Sequence, residues 1–218
     1  INGGVDQIKL IASGAVLAYG SVPGNPEMSP EEISAVVKVA RQSNTKVIAH
    51  AHGALSIKQA IQSGVHSIEH ASLIDEEGIQ MAKEYGVALS MDIYNGDYIN
   101  EYGIIEGWPE EFLRKNRETT DIQRENFSKA HKSGVKIVYG TDAGVYPHGN
   151  NAKQFKYMIK YGMTNIEAIQ SATIHAAEVI GMLDQVGQIK KGFFADLIAV
   201  KENPMLNIQV LENIDVVI

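Results

Sequence analysis

The chain has 218 residues, of which 44% are apolar and 21% are charged, a composition that is typical of a folded globular protein and excludes wholesale disorder. Its 19 lysines and arginines against 26 acidic residues give a formal charge of −7, which argues against a nucleic-acid partner and against binding to anionic membranes. Because the sequence has no cysteine, disulfides, cysteine zinc sites and thiol catalysis are excluded. No run reaches the ~20 apolar residues of a membrane-spanning helix.

Short β-branched runs alternate with longer helical segments along the chain. Strands are predicted at residues 7–12, 46–50, 65–70, 87–92 and 135–142, since each run is mostly apolar and is bounded by turn-forming residues. Repeated strand–helix units imply parallel strands with right-handed crossovers, so the α/β fold is either a doubly wound sheet or a (β/α)8 barrel. No G-x-G-x-x-G turn follows any strand, which disfavours the doubly wound sheet.

Capping signals mark the predicted helices. Ser29 and Thr164 open capping boxes for helices that run to about residue 42 and to residue 181. Ser56 is expected to cap a helix over residues 57–63, and Asp75 to open a helix that ends at residue 86. Long loops are predicted at residues 94–108, before a helix that starts near Pro109, and at residues 143–151. Residues 187–200 have the pattern of β-hairpin material and indicate a different unit.

Four of the predicted strands carry an ionisable side chain. Lys9 lies inside the first, and His50, His70 and Asp142 stand at or near the ends of later ones. Side chains at the carboxyl ends of barrel strands converge on one mouth, where imidazoles and carboxylates can share a metal ion such as zinc. His52 shares a face with His50 if the strand continues. A single histidine at a strand end is often structural, whereas a buried ammonium at Lys9 is costly unless it is paired or neutralised.

Longer motifs resemble the amidohydrolase superfamily, in particular its imidazolonepropionase-like and Xaa-Pro or Xaa-Arg dipeptidase (prolidase-like) branch. They follow the order of that family over nearly the whole chain: HAHG at 50–53, AIQSGVHSIEHA at 60–71, GTDAG at 140–144, PHG at 147–149, ATIHAA at 172–177, and GQI at 187–189 through GFFADL at 192–197. The resemblance implies a TIM-type barrel, with its strands 4 to 8 in residues 1–184 and the start of a small β-sandwich in residues 185–218.

The same resemblance implies a metal-dependent hydrolase of amide or peptide C–N bonds in small substrates such as dipeptides or N-acyl amino acids. Lys9 matches the fourth-strand lysine that relatives carry as a carbamate, formed with CO2, between two divalent ions, which we expect to be zinc. His50, His70 and Asp142 match further metal ligands, and Asp142 also matches the residue that moves the proton from the metal-activated water to the leaving amine. The candidate substrate-binding residues are His52, His148 and Tyr94.

The chain departs from that family in one respect. Relatives carry an H-x-H pair on the first strand, upstream of the bridging lysine, whereas the H-x-H here is at residues 50–52. We therefore expect the carboxyl-terminal half to two-thirds of an enzyme, inactive alone and weak in metal binding. An exposed sheet edge is expected to pair with the missing amino-terminal part or with a second copy in a homo-oligomer.

Two further questions stay open from the sequence. One is the reaction, since a cyclic-amide or lactone hydrolase of the same superfamily, or a catalytically incomplete barrel that only binds a ligand or partner, are alternatives. The other is the cellular location. The first residues lack the basic start and apolar run of a signal peptide, so a cytoplasmic protein is expected, but the chain lacks an initiator methionine and a signal can lie upstream.

Overall fold

A five-stranded parallel sheet is the centre of the computed structural model, which describes residues 3–218. Every neighbouring pair is parallel, and the spatial order of the strands is their order in the chain. Such an order is that of consecutive barrel strands, because a doubly wound sheet reverses its strand order part-way. The strands are β1 (Gln7–Ile11), β2 (Lys46–Gly53), β3 (Ser67–Leu73), β4 (Ala88–Ser90) and β5 (Ile137–Val138).

Helices connect and cover these strands. Both predicted capping boxes form, with Ser29 and Thr164 each accepting from the backbone N–H three residues later. The core lies between the sheet and its helices, where residues such as Val47, Ile68 and Leu89 are fully buried. The helices are α1 (Pro30–Gln42), α2 (Ala54–Ser63), α3 (Glu76–Tyr85), α4 (Asn95–Ile105), α5 (Glu110–Ser133), α6 (Lys153–Lys160), α7 (Asn165–Ala172) and α8 (Ile174–Ile180).

The predicted loop at residues 94–108 is wrong, because α4 occupies most of it. Its Gly, Asn and Tyr residues have modest helix propensity, but Tyr98 is buried and its ring packs 5.8 Å from that of Tyr146. Tertiary packing therefore overrides the local preference.

Three predicted boundaries also need correction. Helix α2 starts at Ala54 directly after β2, with Gly53 as N-cap, so Ser56 lies inside the helix and does not cap it. The helix expected to run to residue 181 is two helices that meet at Thr173, whose φ and ψ of −123° and −88° interrupt the helical backbone. The predicted strand at 135–142 pairs only at Ile137 and Val138, and the chain then leaves the sheet.

The carboxyl-terminal residues form a small antiparallel pair. Strand β6 (Ile198–Ala199) pairs with β7 (Val216–Val217), so the partner of the predicted hairpin material is a later segment that returns after a 3-10 helix at Ile208–Glu212. The boundary between residues 184 and 185 stays a prediction. Across residues 3–218, no helix combines the length and the apolar character that crossing a membrane requires.

Candidate functional site

Three imidazoles meet at the carboxyl ends of β2 and β3. The ring centroids of His50, His52 and His70 are 4.6–4.8 Å apart, and each residue is at most 8% exposed. His50 and His52 share a face because strand β2 continues through both of them and side chains alternate along a strand. One ring nitrogen from each histidine lies within 4.8 Å of the other two, a spacing that can hold a metal ion.

His70 reaches this cluster because the backbone of β3 turns at that residue. In the parallel pairing His70 is in register with Ala51, on the face opposite to that of His50 and His52. The φ angles of His70 and Ala71 are 71° and 49°, and the register between the strands shifts just after Ala51, as at a β-bulge. We conclude that this left-handed turn redirects the imidazole towards the other two. Such conformations are rare in residues that have a Cβ and cluster at functional sites.

Asp92 follows β4 and holds the ring of His70. Its Oδ1 accepts a hydrogen bond from His70 Nδ1 at 2.9 Å, and its Oδ2 accepts one from Asn95 Nδ2 at 2.6 Å. A carboxylate on one imidazole nitrogen fixes the ring and leaves the other nitrogen for a metal ion. Asp92 is not among the residues predicted from the sequence. It is the last residue of the predicted strand at 87–92, as His70 is of the predicted strand at 65–70, and this position at a strand end is the sequence feature that points to it.

The same kind of support exists at His52, whose Nδ1 lies 2.9 Å from the hydroxyl oxygen of Ser72. The backbone N–H of His52 also donates to Ser13 Oγ at 2.8 Å. Ser72 is two residues beyond His70, and nothing in its sequence context distinguishes it. Both of these buried hydroxyl groups therefore emerge only from the tertiary structure.

Burial controls the charge of the imidazoles. It lowers the pKa of His50 to about 4, with the positive charge of His70 acting in the same direction. Burial also lowers the pKa of His52 well below its usual value. For His70, burial acts to lower the pKa, but the charge and hydrogen bond of Asp92 outweigh it and raise the pKa. His50 and His52 are therefore neutral at pH 7 and have lone pairs available for a metal ion.

Asp142 joins this centre from the loop after β5. One of its carboxylate oxygens, one of Asp92 and a ring nitrogen of His70 lie within 4.8 Å of one another, which forms a second group able to hold a metal ion. Asp142 also has a left-handed φ, of 49°. Burial and, after it, the negative charge of Asp92 raise the pKa of the Asp142 carboxyl.

Lys9 lines the same cavity, of about 160 Å³, as His50, His70 and Asp142. Its side chain is exposed, contrary to the burial expected from the apolar run around it. The reason is that β1 is the edge of the sheet, where within residues 3–218 only β2 pairs with it.

The remaining candidate residues lie elsewhere. His148 is exposed and does not line this cavity. Tyr94 is buried with its ring 5.0 Å from that of Tyr146, and it lines a different cavity beside Asp97 and Lys153. Glu69, which precedes His70 in β3, lines a small cavity of about 130 Å³ together with it. The structure thus leaves His148 and Tyr94 outside this cavity. The predicted residues that it brings together are Lys9, His50, His52, His70 and Asp142.

The sequence profile of the amidohydrolase family matches residues 1–218. The chain belongs to the amidohydrolase family. The solved structure of a Xaa-Pro dipeptidase with methionine bound in its active site is similar to this chain at 42% identity and a TM-score of 0.95, over 100% of this chain and 54% of the dipeptidase. The predicted resemblance and the α/β barrel architecture are therefore confirmed.

Two curated relatives point to the same family. Ochratoxinase of Aspergillus niger is 34% identical to this chain over 222 residues, which are 97% of this chain and 44% of the relative. An imidazolonepropionase of Pseudomonas fluorescens is 26% identical over 199 residues, which are 87% of this chain and 44% of the relative. The chain thus spans about half the length of the relatives it matches.

Proposed function

We propose that the protein is a metal-dependent hydrolase of C–N bonds in small substrates such as dipeptides or N-acyl amino acids. The observation that carries this proposal is the buried Nε2 of His50, which has no hydrogen-bond partner among the described residues and belongs to the three-imidazole group. A buried polar atom without a partner destabilises the fold, and ligation of an ion removes that penalty. The donor set of neutral imidazoles and a carboxylate suits zinc or a similar divalent ion.

We propose His50, His70 and Asp142 as metal ligands, with His50 and His70 at one ion, while Asp142 belongs to the second group of possible ligands, which shares His70. The hydrogen bond from His70 Nδ1 to Asp92 leaves Nε2 of His70 as the ligand atom, so Asp92 orients a ligand rather than binding the ion itself. We assign His52 to the same ion, in place of the substrate contact expected from the sequence, because Ser72 engages its Nδ1 in the same way.

Asp142 is also the proposed proton carrier. Its raised pKa brings the carboxyl closer to the neutral range in which a general base works best. The carboxylate would take a proton from the attacking water and return it to the departing nitrogen. When bound, divalent ions supply the complementary chemistry, since they polarise the scissile carbonyl and make a water molecule more acidic.

We retain Lys9 as the proposed carbamate ligand for a second ion. Its ammonium lies in the wall of the same cavity and is accessible, so that CO2 can reach it, and its charge already lowers the pKa of both His50 and Asp142. Converting that cation to an anionic carbamate would instead raise the pKa values of His50 and Asp142. Zinc as the metal and two ions in the complete enzyme are part of this proposal.

The substrate class is supported by the relatives. The names of the Xaa-Pro dipeptidase and of ochratoxinase, at 42% and 34% identity, denote hydrolases of small molecules. A cyclic amide or lactone is the second candidate, which the imidazolonepropionase relative favours. The cavity beside the imidazoles, of about 160 Å³, has the size of a group on a small molecule.

The decisive experiment compares hydrolysis of Xaa-Pro dipeptides, N-acyl amino acids, cyclic amides and lactones by metal-stripped protein and by protein supplied with Zn²⁺ and bicarbonate. The 218-residue chain is assayed alone and mixed with an upstream segment that carries an H-x-H strand. We expect no turnover without metal, little by the chain alone, and dipeptide or N-acyl hydrolysis by the mixture. Turnover that survives metal removal contradicts the proposal, and metal binding without turnover of any substrate supports the ligand-binding alternative.

We also propose that the edge of β1 pairs with a further strand, from the amino-terminal part of the protein or from a second copy. Ile11 on this strand is 48% exposed, although it lies in the sheet. Unpaired edges with apolar side chains favour such association. Sedimentation of the chain with and without the upstream segment distinguishes the two partners, and a monomer under both conditions contradicts the pairing.

A further inference from the structure

Helix α5 buries an unusually polar face against the ends of β3 and β4. Buried polar side chains need hydrogen-bond partners, and on this face several partners are main-chain carbonyls of β3, of the segment after β4 and of the start of α4. Asn116 donates to Gly96 O at 2.8 Å, and Arg124 Nε donates to Ile93 O at 3.1 Å. The buried polar residues of the helix are Lys115, Asn116, Thr119, Thr120, Gln123, Arg124 and Asn126.

Two of these side chains hold the two ends of the left-handed turn in β3. Gln123 Nε2 donates to the carbonyl oxygen of His70 at 3.0 Å, and Asn126 Nδ2 donates to that of Ser72 at 3.1 Å. The left-handed residues are His70, which carries the first of these carbonyls, and Ala71, which lies between the two. Both side chains come from one helix, three residues apart, so a single rigid element fixes the turn.

Gln123 also reaches the carboxylate that orients the imidazole. Its Nε2 lies 3.2 Å from Asp92 Oδ1, the oxygen that accepts from His70 Nδ1 at 2.9 Å. The orientation of the amide is fixed by chemistry, because both partners are acceptors and only the nitrogen end can donate to them. The Gln123 side chain thus connects helix α5 by hydrogen bonds both to the backbone of His70 and to Asp92, which accepts from the His70 ring.

We propose that Gln123 is a positioning residue of the metal centre, which holds His70 in its left-handed conformation and Asp92 against the imidazole, with Asn126 fixing the far end of the turn. This inference rests on the proposed function for its consequence, metal affinity, but its structural part does not need a metal. Without the Gln123 donor, the His70 carbonyl and Asp92 Oδ1 each lose a partner, and the turn can relax towards a regular strand. The imidazole would then point towards the face of Ala51, away from His50.

The experiment uses Gln123→Met, which keeps the length and helix preference of the side chain and removes the donor. Its matched control is Ser128→Ala, which removes another side-chain hydrogen bond from α5, to Tyr161 O at 2.7 Å, away from the centre. The first readout is the affinity for Co²⁺. Loss of an outer partner of a metal-binding histidine costs about 10- to 100-fold, so we expect at least a tenfold weaker affinity for Q123M and a change within twofold for S128A.

The second readout is the imidazole Nδ1–H signal of His70 in proton NMR of the metal-free protein. A proton held between Nδ1 and Asp92 exchanges slowly with water, so the signal is expected in the parent and in S128A and is expected to broaden or disappear in Q123M. If Q123M does not fold, Gln123→Leu, which also lacks the donor, is expected to act in the same direction.

The two proposals fail in different ways. Q123M with an intact Nδ1–H signal and an affinity like that of S128A overturns the positioning role. A parent that binds no Co²⁺, with the signal lost only in the Gln123 variants, overturns the proposed metal function and leaves the positioning role supported.

Discussion

Asp92 accepts a hydrogen bond at 2.9 Å from Nδ1 of His70, although the two residues are 22 positions apart and belong to different strand ends. Both residues are buried, and each shifts the pKa of the other. Burial acts to raise the pKa of Asp92, but the charge and hydrogen bond of His70 outweigh it and hold that pKa far below its usual range. The pair fixes which nitrogen of His70 faces the centre, and that is its importance for a metal site.

Replacing Asp92 by asparagine should weaken metal binding by about 10- to 100-fold, since the neutral amide is a weaker acceptor for His70 Nδ1–H and no longer raises the basicity of the ligand. Titration calorimetry with Zn²⁺ measures the change. Asp184→Asn, at an exposed position, is the control and should bind like the parent. Equal affinities in the two variants would show that the contact between Asp92 and His70 has no part in metal binding.

Asp142→Asn should reduce turnover by about 10²- to 10⁴-fold at saturating metal, the range that removal of a general acid–base group produces. The fold should survive, because Asp142 lies in a loop beyond the last paired residue of β5. Steady-state kinetics and the circular dichroism spectrum are the measurements. Normal turnover in a variant saturated with metal would refute the proton-carrier role.

The metal-free protein should lose stability as the pH falls below about 6.5. Burial lowers the pKa of His50 from its ordinary value of 6.5 to about 4. Between pH 6.5 and pH 4 the unfolded chain therefore binds a proton that the folded chain does not, and the free energy of unfolding decreases as the pH is lowered. His50 alone contributes about 3 kcal/mol of loss by pH 4. His52, whose pKa is also lowered, adds to this loss, whereas His70, whose pKa is raised, opposes it.

Urea denaturation of the metal-free protein at several pH values between 7 and 4 measures this slope. His50→Gln should flatten it, since the variant no longer carries the depressed group. A stability that is constant over this range, or a slope unchanged by the substitution, would contradict the buried, neutral state of His50.

Zn²⁺ should stabilise the fold, because the described ligand atoms are gathered only in the native state. At a free concentration 100 times the Kd, the free energy of unfolding should rise by about 2.7 kcal/mol, and a chelator should reverse the effect. His50→Ala should abolish this stabilisation, whereas His148→Ala should leave it unchanged because His148 is exposed and outside the cavity. Thermal denaturation with and without Zn²⁺ tests both variants, and equal stabilisation of both would exclude His50 as a ligand.

Gly53 lies where the end of β2 passes very close to another segment. A Cβ at this position would be 2.1 Å from the carbonyl oxygen of Gly24, so Gly53→Ala must displace backbone next to His52. We expect a loss of roughly 1–3 kcal/mol in the free energy of unfolding, together with weaker metal binding. Gly24→Ala is the matched control, since its Cβ would meet only Leu73 Cδ1 at 3.8 Å. Equal stabilities of the two variants would contradict this close approach.

The sequence alone determined the strand–helix alternation, the two capping boxes and the chemical types at the strand ends. These features are local, because the side-chain periodicity of a strand or helix and the capping of a helix depend on residues only a few positions apart in the sequence. The sequence also predicted that His50, His70 and Asp142 meet, because parallel strands of a barrel end at the same mouth, and in the structure the three residues line one cavity. The motif order also identified the family, which the profile match over residues 1–218 confirms.

Only the tertiary structure decided how His70 turns, which carboxylate holds it and which helix fixes both. Gln123 is 53 residues from His70, and its role depends on the helix packing against the strand ends. The left-handed turn depends on the assembled sheet, because histidine by itself prefers other backbone conformations. The hydrogen bonds from α5 to the carbonyls of His70 and Ser72 hold the turn in place. The same reason explains helix α4, which buried tyrosines stabilise in a segment whose residues locally favour a loop.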